Sequence, residues 1–283
     1  MSEPTVRRRR LGSELRRLRE AAALSQDDVH ARTGLTPAKI SRIELARFGV
    51  KSVDLDGLLD LYGVDDPAKR SALHILSRDG SKRGWWQTYR DAISPAYADL
   101  ISLEADAKSF RSFQTVLIPG LLQTASYARA AIGAINMTST AEQVNALVEV
   151  RMARQSVLTR PEPLEMWAVI HEAALRPTVS TGPVMRDQLQ RLLDLAELPQ
   201  VSIQVLPLDA MPHPGMAGTF AMVGFADTTD FDVVVIESLT SMLYVEDPVE
   251  ASMYGSAFER LQATALPFDK SADLIARQKD TIR

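Results

Sequence analysis

Cysteine is missing from all 283 residues, which removes disulfides and thiolate metal sites and fits a reducing compartment. No apolar run approaches the ~20 residues that a membrane helix requires. The start, Met1 to Val6, runs straight into Arg7, Arg8, Arg9 and Arg10 with no apolar segment behind it, so no secretory signal is expected. A soluble cytoplasmic protein follows as the expectation. The four histidines, His30, His74, His171 and His213, are scattered, and His171-Glu172 lacks the second histidine of a zinc helix. Glycines 215, 218 and 224 match neither a dinucleotide nor a P-loop spacing, and no serine sits in a nucleophile elbow. Neither an enzyme, a metal nor a cofactor is expected.

What is present divides unevenly. Residues 1–83 hold 17 Lys+Arg against 12 Asp+Glu, a net of +5, whereas the remaining 200 hold 15 against 24, a net of −9. An acidic chain with a basic head is what results when one region faces phosphate and the other does not. Length points the same way, because 283 residues exceed the usual single domain.

Residues 11–78 read as five short helices. Leu11, Leu15 and Leu18 repeat at helical spacing. Ser25 before Gln26-Asp27-Asp28 looks like an N-cap with acids in the first turn. Gly34 breaks the chain, Thr36 caps the next helix, and Pro37 fits its first turn, where a missing N–H costs nothing. Helices are therefore expected over 26–33 and 37–46. Leu55, Leu58, Leu59 and Tyr62 mark a fourth helix, and Pro67 opens a fifth. The polar, glycine-bearing stretch 79–84 is the expected linker. Beyond it, residues 85–283 alternate helical segments (about 123–135, 140–158, 183–196 and 247–264) with strands at 201–206, 219–225, 233–237 and 242–246. Weaker strands are expected near 113–118 and 164–171. Short connections between the later strands favour an α+β domain with a mainly antiparallel sheet.

Two helices joined by a turn at Gly34 suit a major groove, the second entering with its N-terminal end toward base edges. The run Leu24 to Glu44 closely resembles the XRE family of Cro-like and phage-repressor-like helix-turn-helix domains, over about 65 residues. That resemblance implies a lambda-repressor-like fold. It assigns Ser25 and Gln26 to the phosphate backbone or adjacent base, and Pro37, Ala38, Lys39 and Arg42 to the base-facing positions. Thr36, Ser41 and Arg47 complete the expected DNA-binding set, with Lys51 a further phosphate candidate. Lys39 and Arg42 are three apart on one helical face, opposite Ile40 and Ile43. The resemblance also pairs Arg19 with Glu44 as a structural brace. Leu45-Ala46-Arg47-Phe48-Gly49 stands where a glycine commonly follows the glutamate, which implies a recognition helix longer by a turn. Residues 1–10 are expected as a basic arm, either entering a minor groove or solvated.

The second region resembles the C-terminal domain that follows an XRE head in a large actinobacterial regulator family. The carrying residues include Gly84-Trp85-Trp86, Leu103 to Ala107, Ile118 to Ala128, Arg151 to Gln155, His171 to Arg176 and Gly218-Thr219-Phe220. What it implies is an antitoxin-like regulator paired with a small companion protein, without catalysis. Arg151 and Arg154 share a helical face and, with Trp85 and Trp86, are candidate ligand or partner contacts. Alternatively the arginines pair with Glu104, Asp106 or Glu149 while the aromatics fill the core. Double-stranded DNA, a second copy of the chain and a small protein are thus the expected partners. A small-molecule sensor is the alternative.

Overall fold

The computed structural model describes residues 4–78, 84–136, 139–177, 180–210, 212–225 and 232–282. Its first five helices are α1 (Val6–Ala21), α2 (Gln26–Thr33), α3 (Pro37–Glu44), α4 (Ser52–Leu61) and α5 (Pro67–Ser77). Local chemistry sets most of these bounds. Ser25 and Asp28 form a reciprocal capping box on α2, and Gly34, at φ 73°, ends it. Thr36 caps α3 and Asp66 caps α5, each with proline in the first turn. Leu15, Val29, Ile40, Leu55, Leu59 and Leu73 are buried together as the core of this head. Gly12 lets α1 and α3 touch backbone to backbone. A Cβ there would stand 2.6 Å from the Ile43 carbonyl oxygen and 2.7 Å from that of Glu44.

The second region continues with α6 (Pro95–Asp106), β1 (Ser109–Gln114), α7 (Ala125–Ile135), α8 (Ala141–Arg154), β2 (Glu165–His171), α9 (Gly182–Ala196) and β3 (Val201–Leu206). It closes with β4 (Phe220–Gly224), β5 (Val233–Glu237), β6 (Met242–Val245), α10 (Pro248–Thr264) and α11 (Phe268–Thr281). One six-stranded sheet runs β3-β2-β1-β4-β5-β6. It is mixed: antiparallel pairing predominates, as expected, at three of the five strand pairings, and the other two are parallel. β1, β2 and β3 are parallel, because helices α7, α8 and α9 carry the chain back between them. β4, β5 and β6, with their short connections, are antiparallel, and β4 also joins β1 antiparallel. β1 also starts four residues earlier than expected; the buried Ser112 interrupts its apolar signal. Helices α6 and α11 go beyond the segments expected from sequence.

Side chains alternate across this sheet as its pleat requires. Phe110, Ala168, Ile170, Ile203 and Val235 join the large cluster that includes Leu189 and Leu192 of α9. Phe113, Val169, Phe220, Met222 and Val234 pack on the other side with Phe258 and Leu261 of α10. Helices therefore cover both faces.

The arginine run is not an arm. From Val6 onward it forms the first turns of α1, capped by Thr5, and it docks on the second region. Arg7 is buried. It pairs with Asp106 at 2.7 Å and donates to the carbonyl oxygens of Ser102 and, at 3.2 Å, Ile75. Arg9 donates to Glu246 at 2.8 Å, and the Val6 N–H donates to Asp99 at 3.3 Å. The large apolar cluster is continuous from the head into the second region. Residues 79–83 of the expected linker, and residues 1–3, lie outside the described residues.

Candidate nucleic-acid interface

Helix α3 owes its position to a partly buried brace. Arg19 of α1 meets Glu44 in a two-pronged contact, Nε to Oε1 at 2.6 Å and Nη2 to Oε2 at 3.0 Å, and its remaining arm donates to the Leu24 carbonyl at 2.8 Å. Gln26 donates to the same carboxylate at 3.1 Å. One acid thus ties together α1, the start of α2 and the end of α3. Ile40 and Ile43 face the core, which leaves Ala38, Lys39, Ser41 and Arg42 on the accessible side.

The two basic residues of that side differ. Lys39 donates from Nζ to Asp54 of α4 at 2.8 Å, an ion pair that sequence spacing gave no reason to expect. Arg42 is exposed, lies 5.8 Å from the centre of the Phe48 ring, and meets no carboxylate among the described residues. Ser25 and Thr36 spend an acceptor position on capping α2 and α3, at 3.1 and 3.3 Å. The Ser25 hydroxyl and N–H in turn hold the Asp28 carboxyl below its usual range. Both cap residues remain exposed beside the helix N-termini, where backbone N–H groups favour phosphate. Pro37 is half-buried, and Arg47 and Lys51 are exposed.

The recognition helix does not lengthen. It ends at Glu44, where Ala46 swings into the left-handed region at φ 59° and the N–H groups of Arg47 and Phe48 both return to the Arg42 carbonyl, at 2.8 and 3.1 Å. Burial of the Ala46 methyl group offsets part of the strain of that conformation.

In the second region the candidate pair Arg151 and Arg154 separates. Arg154 is buried and internal: it grips Glu104 with two nitrogens, Nε at 2.8 Å, and donates to the Tyr97 hydroxyl at 2.6 Å. Burial opposes its charge, but Glu104 and Tyr97 outweigh that and push its pKa up. Arg151 forms no such pair among the described residues. Trp86 is buried against Trp85, ring centres 6.0 Å apart, and Tyr89 donates to Glu149 at 3.2 Å. These aromatics pack beside α8 and do not line the cavity that Arg151 reaches.

Residues 10–73 match a family described as a helix-turn-helix domain. Residues 97–277 match the family described as a domain of unknown function, DUF5753. No curated protein and no solved structure matched. No helix among the described residues is long and apolar enough to cross a membrane. The chain belongs to the DUF5753 family and carries a helix-turn-helix domain ahead of it, the make-up of a DNA-binding regulator.

Proposed function

We propose that this chain is a sequence-specific transcriptional regulator of the XRE type, reading the major groove with α3 and acting as a dimer on two half-sites. The observation that carries the reading is Arg42: an exposed guanidinium without a carboxylate partner among the described residues, on the face opposite Ile40 and Ile43, on a helix braced by Arg19 and Glu44. An arginine so placed takes a guanine in two hydrogen bonds, worth ~1–3 kcal/mol of discrimination. Lys39 contributes after exchanging Asp54 for DNA. Ser25, Gln26, Thr36, Ser41 and Arg47 supply positioning contacts, and Pro37 and Ala38 apolar ones. Dimerisation follows from magnitude, since one head with two basic readers buries too little to select a site among genomic competitors. The second region is the controlling module. In keeping with the antitoxin-like resemblance, a small companion protein is its partner, and it performs no catalytic step.

The test is an electrophoretic shift on DNA from upstream of its own gene, against scrambled DNA at matched salt. Tighter binding to the upstream DNA is expected, and equal binding to both would overturn the reading. Arg42→Ala is expected to relax preference at one base pair per half-site.

A further inference from the structure

We infer that the second region carries a binding site for a small organic monoanion with an apolar body, its carboxylate seated on Arg151. The inference does not depend on how the head reads DNA. Arg151 and Arg154 lie three residues apart on α8, yet among the described residues Arg154 has a carboxylate partner and Arg151 has none. Arg151 is held by a neutral group. Its Nη1 donates to Gln123 Oε1 at 3.0 Å, and Gln123 is itself buried and fixed by donation to the Ile118 carbonyl at 2.7 Å. Arg151 Nε is buried and has no hydrogen-bond partner among the described residues. A buried donor left unpaired costs free energy that an incoming acceptor recovers. The guanidinium lies close over Gly120, where a Cβ would stand 3.4 Å from Arg151 Cδ.

The space around it fits a ligand rather than a few waters. Arg151 and Glu237 line both a small recess of about 70 Å3, walled by Ser112, Gln114 and Arg154 together with Phe110 and Leu121, and a wider cleft of about 620 Å3. The wider cleft offers apolar surface from Ile132, Ile135, Leu147 and Met242. That volume falls within the range of small-molecule sites. A single cation in a cleft whose walls mix these apolar side chains with Ser94, Asn136, Gln143 and Ser241 takes a carboxylate on a hydrocarbon or aromatic frame. The acids lining the cleft, Asp91 and Glu237, are exposed and screened by solvent, and their repulsion grows with the charge of the ligand, so it weighs least on a monoanion. Citrate and nucleotides are therefore poor fits.

The experiment titrates the full chain calorimetrically with hexanoate and octanoate, with octan-1-ol and citrate as controls. Saturable binding of the two carboxylates is expected, octanoate several-fold tighter than hexanoate, with at least tenfold weaker binding of octanol and citrate. Arg151→Gln is expected to lose at least tenfold in octanoate affinity. Ile135→Glu, at an exposed position of the cleft wall, provides a second variant if Arg151→Gln fails to unfold cooperatively, and is expected to weaken octanoate several-fold. Octanol binding as tightly as octanoate, unchanged affinity in these variants, or no binding of either carboxylate would each overturn the assignment.

Discussion

Helices α3 and α8 each present basic side chains three residues apart, Lys39 and Arg42 on α3 and Arg151 and Arg154 on α8, and in each one is tied to a carboxylate while the other meets none among the described residues. The tied members differ in kind. Lys39 and Asp54 pair at the surface, where solvent screens the charges and the pair is weak. Arg154 and Glu104 are 6% and 1% exposed, where neither charge tolerates losing the other. The unpaired members differ in shape. Arg42 stands on an exposed helix face that suits a long polyanion, and Arg151 stands in a cleft that suits a small one. Spacing on a helix does not distinguish these roles; burial and the partner do.

The largest effect that would break this comparison concerns the tied pairs. Glu104→Ala leaves the Arg154 charge buried and is expected to cost about 3–5 kcal/mol, whereas Asp54→Ala is expected to cost under about 1 kcal/mol. Chemical denaturation measures both, and similar costs would remove the distinction. Arg7→Ala strips the seam of one buried cation and is expected to cost about 2–4 kcal/mol. The same variant should leave the salt dependence of DNA binding unchanged, because Arg7 faces Asp106 and not phosphate. A shallower salt slope would return the arginine run to the DNA.

Acidification gives a smaller contrast, between head and seam. In the head, burial pushes the Glu14 carboxyl up, but Arg17 and Lys69 outweigh it and hold the group below the usual range. His74 and Arg70 likewise hold Asp56 down. Stability from such groups is present above the ordinary carboxylate range and is lost as pH falls through the depressed folded values. In the seam, burial pushes Asp99 and Glu246 up in spite of the Val6 N–H and Arg9. Their charged forms cost stability at neutral pH, and that cost disappears as pH falls through the raised values. Amide hydrogen exchange should therefore show α4 and α5 losing protection at low pH while the first turns of α1, which form the seam, do not weaken first. Seam loosening above the ordinary carboxylate range would contradict this.

What the sequence made legible was local. The bounds of α2 and the start of α3 lie in Ser25, Gly34, Thr36 and Pro37, each acting within a few residues of itself. The fate of Arg7 and Arg9 depends on Asp106 and Glu246, 99 and 237 residues away, and no periodicity encodes that. Ala46 hid the end of α3, because alanine carries no signal for a left-handed turn. The parallel half of the sheet was obscured because strands β1 to β3 read individually much like those of an antiparallel sheet. Their intervening helices were the available clue.

The division of labour between the two unpaired arginines is tested most directly by titrating Arg42→Ala and Arg151→Gln side by side against upstream and scrambled DNA at one salt concentration. Arg42→Ala is expected to lose about 1–3 kcal/mol of the preference for upstream DNA per half-site, while ligand-free Arg151→Gln keeps it whole. Equal loss of preference in both variants, or none in Arg42→Ala, would contradict the assignment of α3 as the reading helix.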